Sequence, residues 1–76
     1  MKHKITATCT GRYLKIFING LLHVSVTLYD FYGIQATVES NNWFTIKIYS
    51  KKNILLEYDN KELWSEILKL INENVR

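Results

Sequence analysis

Proline is absent from this chain of 76 residues, and only three glycines and one cysteine are present. With Cys9 alone, an intrachain disulfide is excluded, and a small domain without disulfides is typical of a reducing compartment, so we expect the cytoplasm. No apolar run approaches the ~20 residues that a membrane-spanning helix needs. The basic N-terminus lacks the apolar segment of a signal peptide. Because proline and glycine are scarce, no linker is apparent, and we predict a single domain over residues 1–76.

The net charge of +3 is carried by the first half of the chain. Over residues 1–38 the balance is +4 − 1 = +3, from Lys2, Lys4, Arg12 and Lys15 against Asp30. Residues 39–76 balance six basic against six acidic side chains. The excess positive charge therefore belongs to the first predicted strands, where it favours an anionic partner.

Apolar residues occupy even-numbered positions almost without exception between Leu14 and Tyr58. A period of two that is interrupted about every ten residues is typical of a meander of antiparallel strands with one buried face. We predict six strands near residues 3–9, 12–18, 21–29, 33–39, 43–49 and 54–58. A single sheet of six strands would be about 30 Å wide, which one helix cannot cover. The sheet must therefore curl on itself, or a second subunit must cover it.

The turn at Asn19-Gly20 decides which side chains share a face. A two-residue loop would pair Ile18 with Leu21 and mix the two faces. A three-residue loop over residues 18–20, which pairs Leu14 with Val24, keeps the faces matched, and it is the register that we predict. It places Lys15 opposite His23 on the outer face.

The first hairpin is predicted to turn at Thr10-Gly11, which pairs Ala7 with Leu14. The inward residues of the first strand are then odd-numbered, so that Cys9 points inward. This register leaves His23 and Cys9 on opposite faces of the sheet.

After Tyr58 the apolar period changes from two to that of a helix, which we predict over residues 60–75. Asp59 followed by Glu62 resembles a capping box with Asp59 as the N-cap. Trp64 lies at the centre of the apolar helix face and is predicted to anchor the core. The fold class is therefore α+β: a curled antiparallel β-meander of five to six strands, residues 3–58, followed by one amphipathic helix packed on the apolar sheet face.

Catalysis and metal binding find little support in the sequence. The histidines are His3 and His23, and no Cys/His pair is expected. No group of metal ligands occurs at a recognised spacing, and no glycine-rich phosphate loop is present. We therefore predict a protein that is not an enzyme, with no cofactor, no metal site and no small-molecule ligand.

Exposed aromatic and apolar residues indicate a binding function instead. Large apolar side chains on a sheet surface are costly unless a partner covers them, and aromatic residues dominate protein interfaces. The predicted protein-contact residues are Phe17, Leu21, Phe31, Trp43 and Tyr49. We predict contact with a protein partner or self-association as a homodimer. The isoleucine-, lysine- and asparagine-rich composition suggests an AT-rich genome, which fits an accessory or inhibitor protein of a phage or mobile element.

Single-stranded nucleic-acid binding is the alternative function. It needs cations for phosphates and flat rings for bases, and the first three predicted strands supply both on their outer face. The residues predicted for this alternative are Lys2, Lys4, Tyr13, Lys15, Phe17 and His23. Because phosphate contacts are sensitive to salt, ionic strength would separate this function from protein contact.

The hexapeptide GRYLKI, Gly11–Ile16, is similar to a short stretch of PUR repeats. The resemblance implies a single-strand-binding module with an antiparallel sheet and a C-terminal helix. PUR repeats have four strands before the helix, whereas six are predicted here, and no residue role is carried over. A curled meander closed by a helix also resembles the pleckstrin-homology architecture, which by itself implies no function.

Overall fold

The computed structural model describes residues 3–75, which form six β-strands and one α-helix. Their bounds are β1 (Ile5–Thr10), β2 (Tyr13–Ile18), β3 (Leu21–Thr27), β4 (Gly33–Ser40), β5 (Trp43–Tyr49), β6 (Ile54–Tyr58) and α1 (Lys61–Asn74). Lys2, predicted for the nucleic-acid alternative, lies outside the described residues. A short 3-10 turn, Leu28–Asp30, ends β3 two residues earlier than the predicted strand.

The strands form two three-stranded antiparallel sheets, in the orders β1-β2-β3 and β4-β5-β6. Each strand pairs with its neighbour in sequence except at the 3-10 turn, where the chain leaves the first sheet and enters the second. The predicted α+β class, with antiparallel strands followed by one C-terminal helix, is confirmed. Two narrow sheets take the place of one wide sheet, and both contribute apolar side chains to one core.

The core is one cluster that draws on both sheets and on the helix. Its buried side chains are Leu14, Ile16, Val24, Val26, Phe44, Ile46, Ile48, Leu56, Tyr58, Ile67 and Ile71. All those from the strands are even-numbered, as the period of two predicts. Burying side chains of this kind stabilises the fold by about 1.5–3 kcal/mol each.

The first hairpin turns at Gly11-Arg12 rather than at Thr10-Gly11, because Thr10 pairs with Tyr13. Gly11 has a positive φ of 61°, which fits the first central position of a type II′ turn. Ala7 therefore pairs with Ile16, and the predicted pairing with Leu14 is wrong by two residues. A shift of two residues leaves every side chain on its predicted face.

The second hairpin has the two-residue Asn19-Gly20 loop, so the predicted three-residue loop is wrong. Both residues have positive φ, 53° and 83°, which is the type I′ conformation that Asn-Gly favours. Ile18 pairs with Leu21, as this loop requires. The faces still match further along, because a β-bulge leaves His23 as an extra residue in β3.

The tight turn and the bulge change the surroundings of Leu21, Leu22 and Lys15. Leu21, predicted on the outer sheet surface, pairs with Ile18 on the side of the sheet that faces the core. Lys15 lies opposite Ser25, not opposite His23. Leu22, whose even number predicts burial, pairs with Phe17 on the outer face and is 56% exposed. The reason is that the residues of β3 before the bulge pair in the register set by the two-residue turn. The residues after the bulge are shifted by one, which places even-numbered side chains in the core.

Strand β4 is an edge strand that the helix leaves uncovered. Helix α1 packs against β5, β6 and β1. Ala36 and Val38 are therefore exposed, although their even numbers predict burial. Thr45 departs in the opposite direction: its odd number predicts the outer face of the sheet, but it is buried on the central strand between Thr37 and Glu57.

Helix α1 begins after Asn60, not after Asp59 as predicted. The Asn60 side chain accepts a hydrogen bond from the backbone N–H of Leu63 at 3.1 Å, which satisfies a free donor of the first turn. Trp64 is half-buried against Phe44, with ring centroids 5.4 Å apart. Its indole N–H donates to the Thr45 carbonyl at 2.9 Å, fixing the helix to the central strand. Within residues 3–75, no helix has the length and apolar character needed to cross a membrane.

Candidate protein-contact surface

Two of the predicted contact residues, Leu21 and Trp43, lie at the same end of the molecule. Trp43 lines a shallow cavity of about 530 Å³ with His23, two residues after Leu21. Leu21 is 75% exposed and Trp43 is 47% exposed. We name this region the Trp43 end and define it by Leu21, Leu22, His23, Trp43 and Leu63.

The Trp43 side chain is held in place by its neighbouring strand. Trp43 is the first residue of β5 and pairs with Ser40 beyond a bulge in β4. Its indole N–H donates to Oε2 of Glu57 on β6 at 3.0 Å. Because the polar atom of the indole already has a partner, the exposed part of the ring offers apolar surface in a fixed orientation.

His23 links the first sheet to the second at the same end. Its Nε2 lies 2.6 Å from the Tyr58 hydroxyl, and the two ring centroids are 5.5 Å apart. Partial burial lowers the pKa of the His23 imidazole from its usual value of 6.5. Burial raises the pKa of the Tyr58 phenol well above its usual range. Both groups are therefore neutral at physiological pH, and they form a hydrogen bond between uncharged partners.

The cavity beside Trp43 combines apolar, aromatic and acidic walls. Its lining residues are His23, Asn42, Trp43, Glu57, Tyr58, Asp59 and Leu63. Glu57 and Asp59 give this wall negative charge, although Glu57 is already engaged by the indole. The arrangement can hold an apolar side chain of a partner against rigid rings, which is the geometry of an interface anchor.

The remaining predicted contact residues are not brought together with Trp43. Phe17 is half-buried on the outer face of the first sheet, opposite Leu22. Phe31 folds back and packs against the core. Tyr49 is half-buried at the far end of β5, and its hydroxyl donates to Gln35 at 2.8 Å. The predicted set of five is thus spread over separate surfaces.

The residues predicted for nucleic-acid binding are also spread over separate surfaces. Tyr13, Lys15 and Phe17 line one shallow cavity of about 530 Å³ on the outer face of β2, together with Thr8 and Thr10. Lys4 is exposed beside the Asn19-Gly20 turn, where its backbone N–H donates to Oδ1 of Asn19 at 2.9 Å. His23 faces Tyr58 instead of this surface.

A second aromatic region lies at the other end of the sheets. Tyr29, in the 3-10 turn, meets Tyr13 edge-to-face at a centroid distance of 6.1 Å. The Arg12 guanidinium lies 5.8 Å from the Tyr29 ring centroid, within cation–π range. Lys51 and Lys52 follow β5 at the same end, in a shallow cavity that includes Thr27. We define the tyrosine end by Arg12, Tyr13, Tyr29, Lys51 and Lys52.

The predicted contact sets lack six residues of these two ends: Leu22, Leu63, Arg12, Tyr29, Lys51 and Lys52. Parity predicts that Leu22 lies in the core, whereas the Asn-Gly dipeptide is the signal that places it outside, because it favours a two-residue turn. Arg12 and Tyr29 were not grouped, since they come together only where the 3-10 turn returns to β2. The Leu28 N–H donates to the Arg12 carbonyl at 2.7 Å and holds them there.

Among residues 3–75, no three histidine, cysteine, aspartate or glutamate side chains are grouped so that they could hold a metal ion. The chain matches no protein-family model, no curated protein and no solved structure.

Proposed function

We propose that this protein is a small binding module that docks a protein partner on its Trp43 end. The observation that carries the proposal is the exposure of Trp43 on the cavity of about 530 Å³, with Leu21 exposed two residues before His23, which also lines it. A large exposed aromatic side chain on the wall of an apolar cavity is typical of an interaction site. An action by binding rather than by catalysis fits the engagement of His23 with Tyr58 and of Glu57 with Trp43.

Energetics favour Trp43 as the anchor of this contact. Tryptophan is enriched among the residues that dominate binding energy, particularly where rigid surroundings exclude water. The hydrogen bond to Glu57 fixes the ring before a partner arrives, so little side-chain entropy is lost on binding. Full burial of an exposed leucine such as Leu21 would contribute about 1.5–3 kcal/mol more.

We further propose that the protein acts in the cytoplasm as an accessory or inhibitor protein of a phage or mobile element. The exposed thiol of Cys9, the single cysteine of the chain, supports a reducing compartment. The composition, which suggests an AT-rich genome, supports the proposed origin.

The proposal is tested by quantitative affinity capture from native host cells. The bait is the wild-type protein, compared with Leu21→Ser and Trp43→Ala. We expect one protein to be enriched by the wild type, to be lost with both variants, and to bind directly when purified. The matched control is Tyr32→Ala, which removes a more exposed aromatic ring from another part of the surface. Equal capture by the wild type and by both Trp43-end variants would contradict the proposal.

Single-stranded nucleic-acid binding at the tyrosine end is the second candidate function. The packing of Arg12 and Tyr13 around Tyr29, with Lys51 and Lys52 nearby, favours it, because rings and cations are then available together. It is tested by fluorescence anisotropy with a labelled oligothymidine at low and moderate salt. Binding through this end should weaken by roughly tenfold or more with Tyr29→Ala and fall steeply with salt. Binding that is unchanged by Tyr29→Ala would exclude this end as the site.

A further inference from the structure

The four edges of the two sheets differ in how they are protected. Strand β1 lies against helix α1, and Lys4 precedes it. Strand β3 carries the bulge at His23, and β6 has only five residues, including Glu57. Bulges, charges and short length are the devices by which proteins prevent an edge strand from pairing with another chain.

Strand β4 (Gly33–Ser40) carries few of these devices. It is the longest strand, with eight residues, and Glu39 is its only charged side chain. Its pairing with β5 is regular from Gly33 to Val38, before the bulge. Within residues 3–75, β4 pairs only with β5, so the alternate backbone N–H and C=O groups of its other edge have no strand partner. A long, regular edge of this kind is a template for a further strand.

We propose that β4 pairs with β4 of a second copy of this chain, antiparallel about a two-fold axis, to form a continuous six-stranded sheet. A strand that pairs antiparallel with itself presents the same surface on both sides, which is what a two-fold interface requires. No other component is needed to satisfy the backbone of the edge.

The side chains of β4 suit this pairing in one register. With Ala36 of one copy opposite Ala36 of the other, Val38 of each copy faces Ile34 of the other. Val38 is 57% exposed in the single chain, and this contact would cover it. Glu39 would lie opposite Gly33, so the two glutamates would be about 20 Å apart and would not repel each other across the pair.

The pairing is tested by the mass in solution, measured by sedimentation velocity between roughly 10 µM and 1 mM, because a one-strand interface is smaller than that of a stable dimer. The 9.0 kDa chain should approach a mass of 2 × 9.0 = 18.0 kDa as the concentration rises. A chain that stays at 9.0 kDa throughout would overturn the proposal.

Variants locate the interface. Ala36→Lys places two like charges opposite each other and should abolish the dimer, while an unchanged circular dichroism spectrum shows that the fold is intact. The matched control is Leu55→Lys, which changes an exposed residue on the opposite edge strand of the same sheet and should leave the dimer intact. Mixing Ala36→Lys with Ala36→Glu should restore an 18.0 kDa species through opposite charges. A dimer that survives Ala36→Lys, or that Leu55→Lys also abolishes, would overturn the proposal.

Discussion

The Trp43 end and the tyrosine end both expose aromatic rings, but the rings are held by different forces. At the Trp43 end, hydrogen bonds fix the polar atoms: Trp43 to Glu57, and His23 to Tyr58. At the tyrosine end, Tyr29 contacts Tyr13 through ring edges and Arg12 through a cation–π interaction. The rings of the Trp43 end are thus hydrogen-bonded to residues of β6, whereas those of the tyrosine end contact other exposed side chains.

This difference separates what each end can bind. A surface whose side chains are already fixed loses little entropy on binding and can select one partner by shape. Rings and cations on the surface tolerate many bases, because every base offers a flat face for stacking. Changes at the Trp43 end should therefore alter stability as well as binding, whereas changes at the tyrosine end should alter binding alone.

The largest effect is expected in the core that the two ends share. Ile46 is fully buried, so Ile46→Ala should lower the free energy of unfolding by about 2–5 kcal/mol. Both ends should then lose their structure in a single transition, measured by urea unfolding with circular dichroism and tryptophan fluorescence. Val38→Ala, on the same sheet face but exposed, should change the stability by about 0.5 kcal/mol or less. Two separate transitions would show that the ends are independent units.

The next largest difference in stability between the two ends is expected from the helix cap. Asn60 caps the helix beside the Trp43 end, and Asn60→Ala should cost about 1 kcal/mol of stability. Asn53 provides a matched control near the tyrosine end, where its side chain accepts from the Ser50 N–H at 3.3 Å in an exposed turn. Asn53→Ala should change the urea midpoint less than Asn60→Ala does. Equal losses would show that the Trp43 end is no better anchored than the tyrosine end.

Removal of tyrosine hydroxyl groups should give a smaller contrast. Tyr58→Phe removes the partner of His23 from a buried position and should cost roughly 0.5–1.5 kcal/mol. Tyr29→Phe keeps the ring that meets Tyr13 and should leave the unfolding midpoint unchanged. The comparison fails if Tyr29→Phe is the more destabilising of the two.

The smallest effect is a pH dependence at the Trp43 end. The pKa of His23 in the folded protein is below its usual value of 6.5, because burial disfavours the charged ring. Between these two pKa values the unfolded chain binds more protons, so the free energy of unfolding falls as the pH drops below 6.5. Urea midpoints at about pH 7.5 and about pH 5.5 should therefore differ less in His23→Gln than in the wild type. An undiminished difference in His23→Gln would assign the pH dependence to other groups.

The core could be predicted from the sequence because the period of two depends on each strand alone. Leu14, Ile46 and Leu56 are buried as their parity requires. Parity could not predict how far each face is covered: Val38 is even-numbered and apolar, yet it is exposed because it lies on an edge strand that the helix does not cover. Whether a strand face is buried depends on how the strands and the helix pack together, and the sequence of one strand does not indicate this.

The candidate site was only partly predictable. Leu21 and Trp43 could be named as exposed residues, but their placement at one end depends on how the two sheets meet at His23 and Tyr58. The His23 bulge has no sequence signature of its own. The bulge allows the tight Asn-Gly turn and the even-numbered core residues to occur in the same hairpin. It can be predicted only by comparing the register that the turn requires with the register that the core requires.

The most direct test of the Trp43 end is a binding titration of the captured partner with Trp43→Ala and Tyr32→Ala, at low salt and at about 0.5 M salt. At the higher ionic strength, surface charges are screened beyond about 4–5 Å. We predict that Trp43→Ala weakens binding by roughly 30-fold or more, the loss typical of an interface anchor, at both salt concentrations. Tyr32→Ala should bind as the wild type does. A partner that binds Trp43→Ala as tightly as the wild type and is released by salt would contradict this function for the Trp43 end.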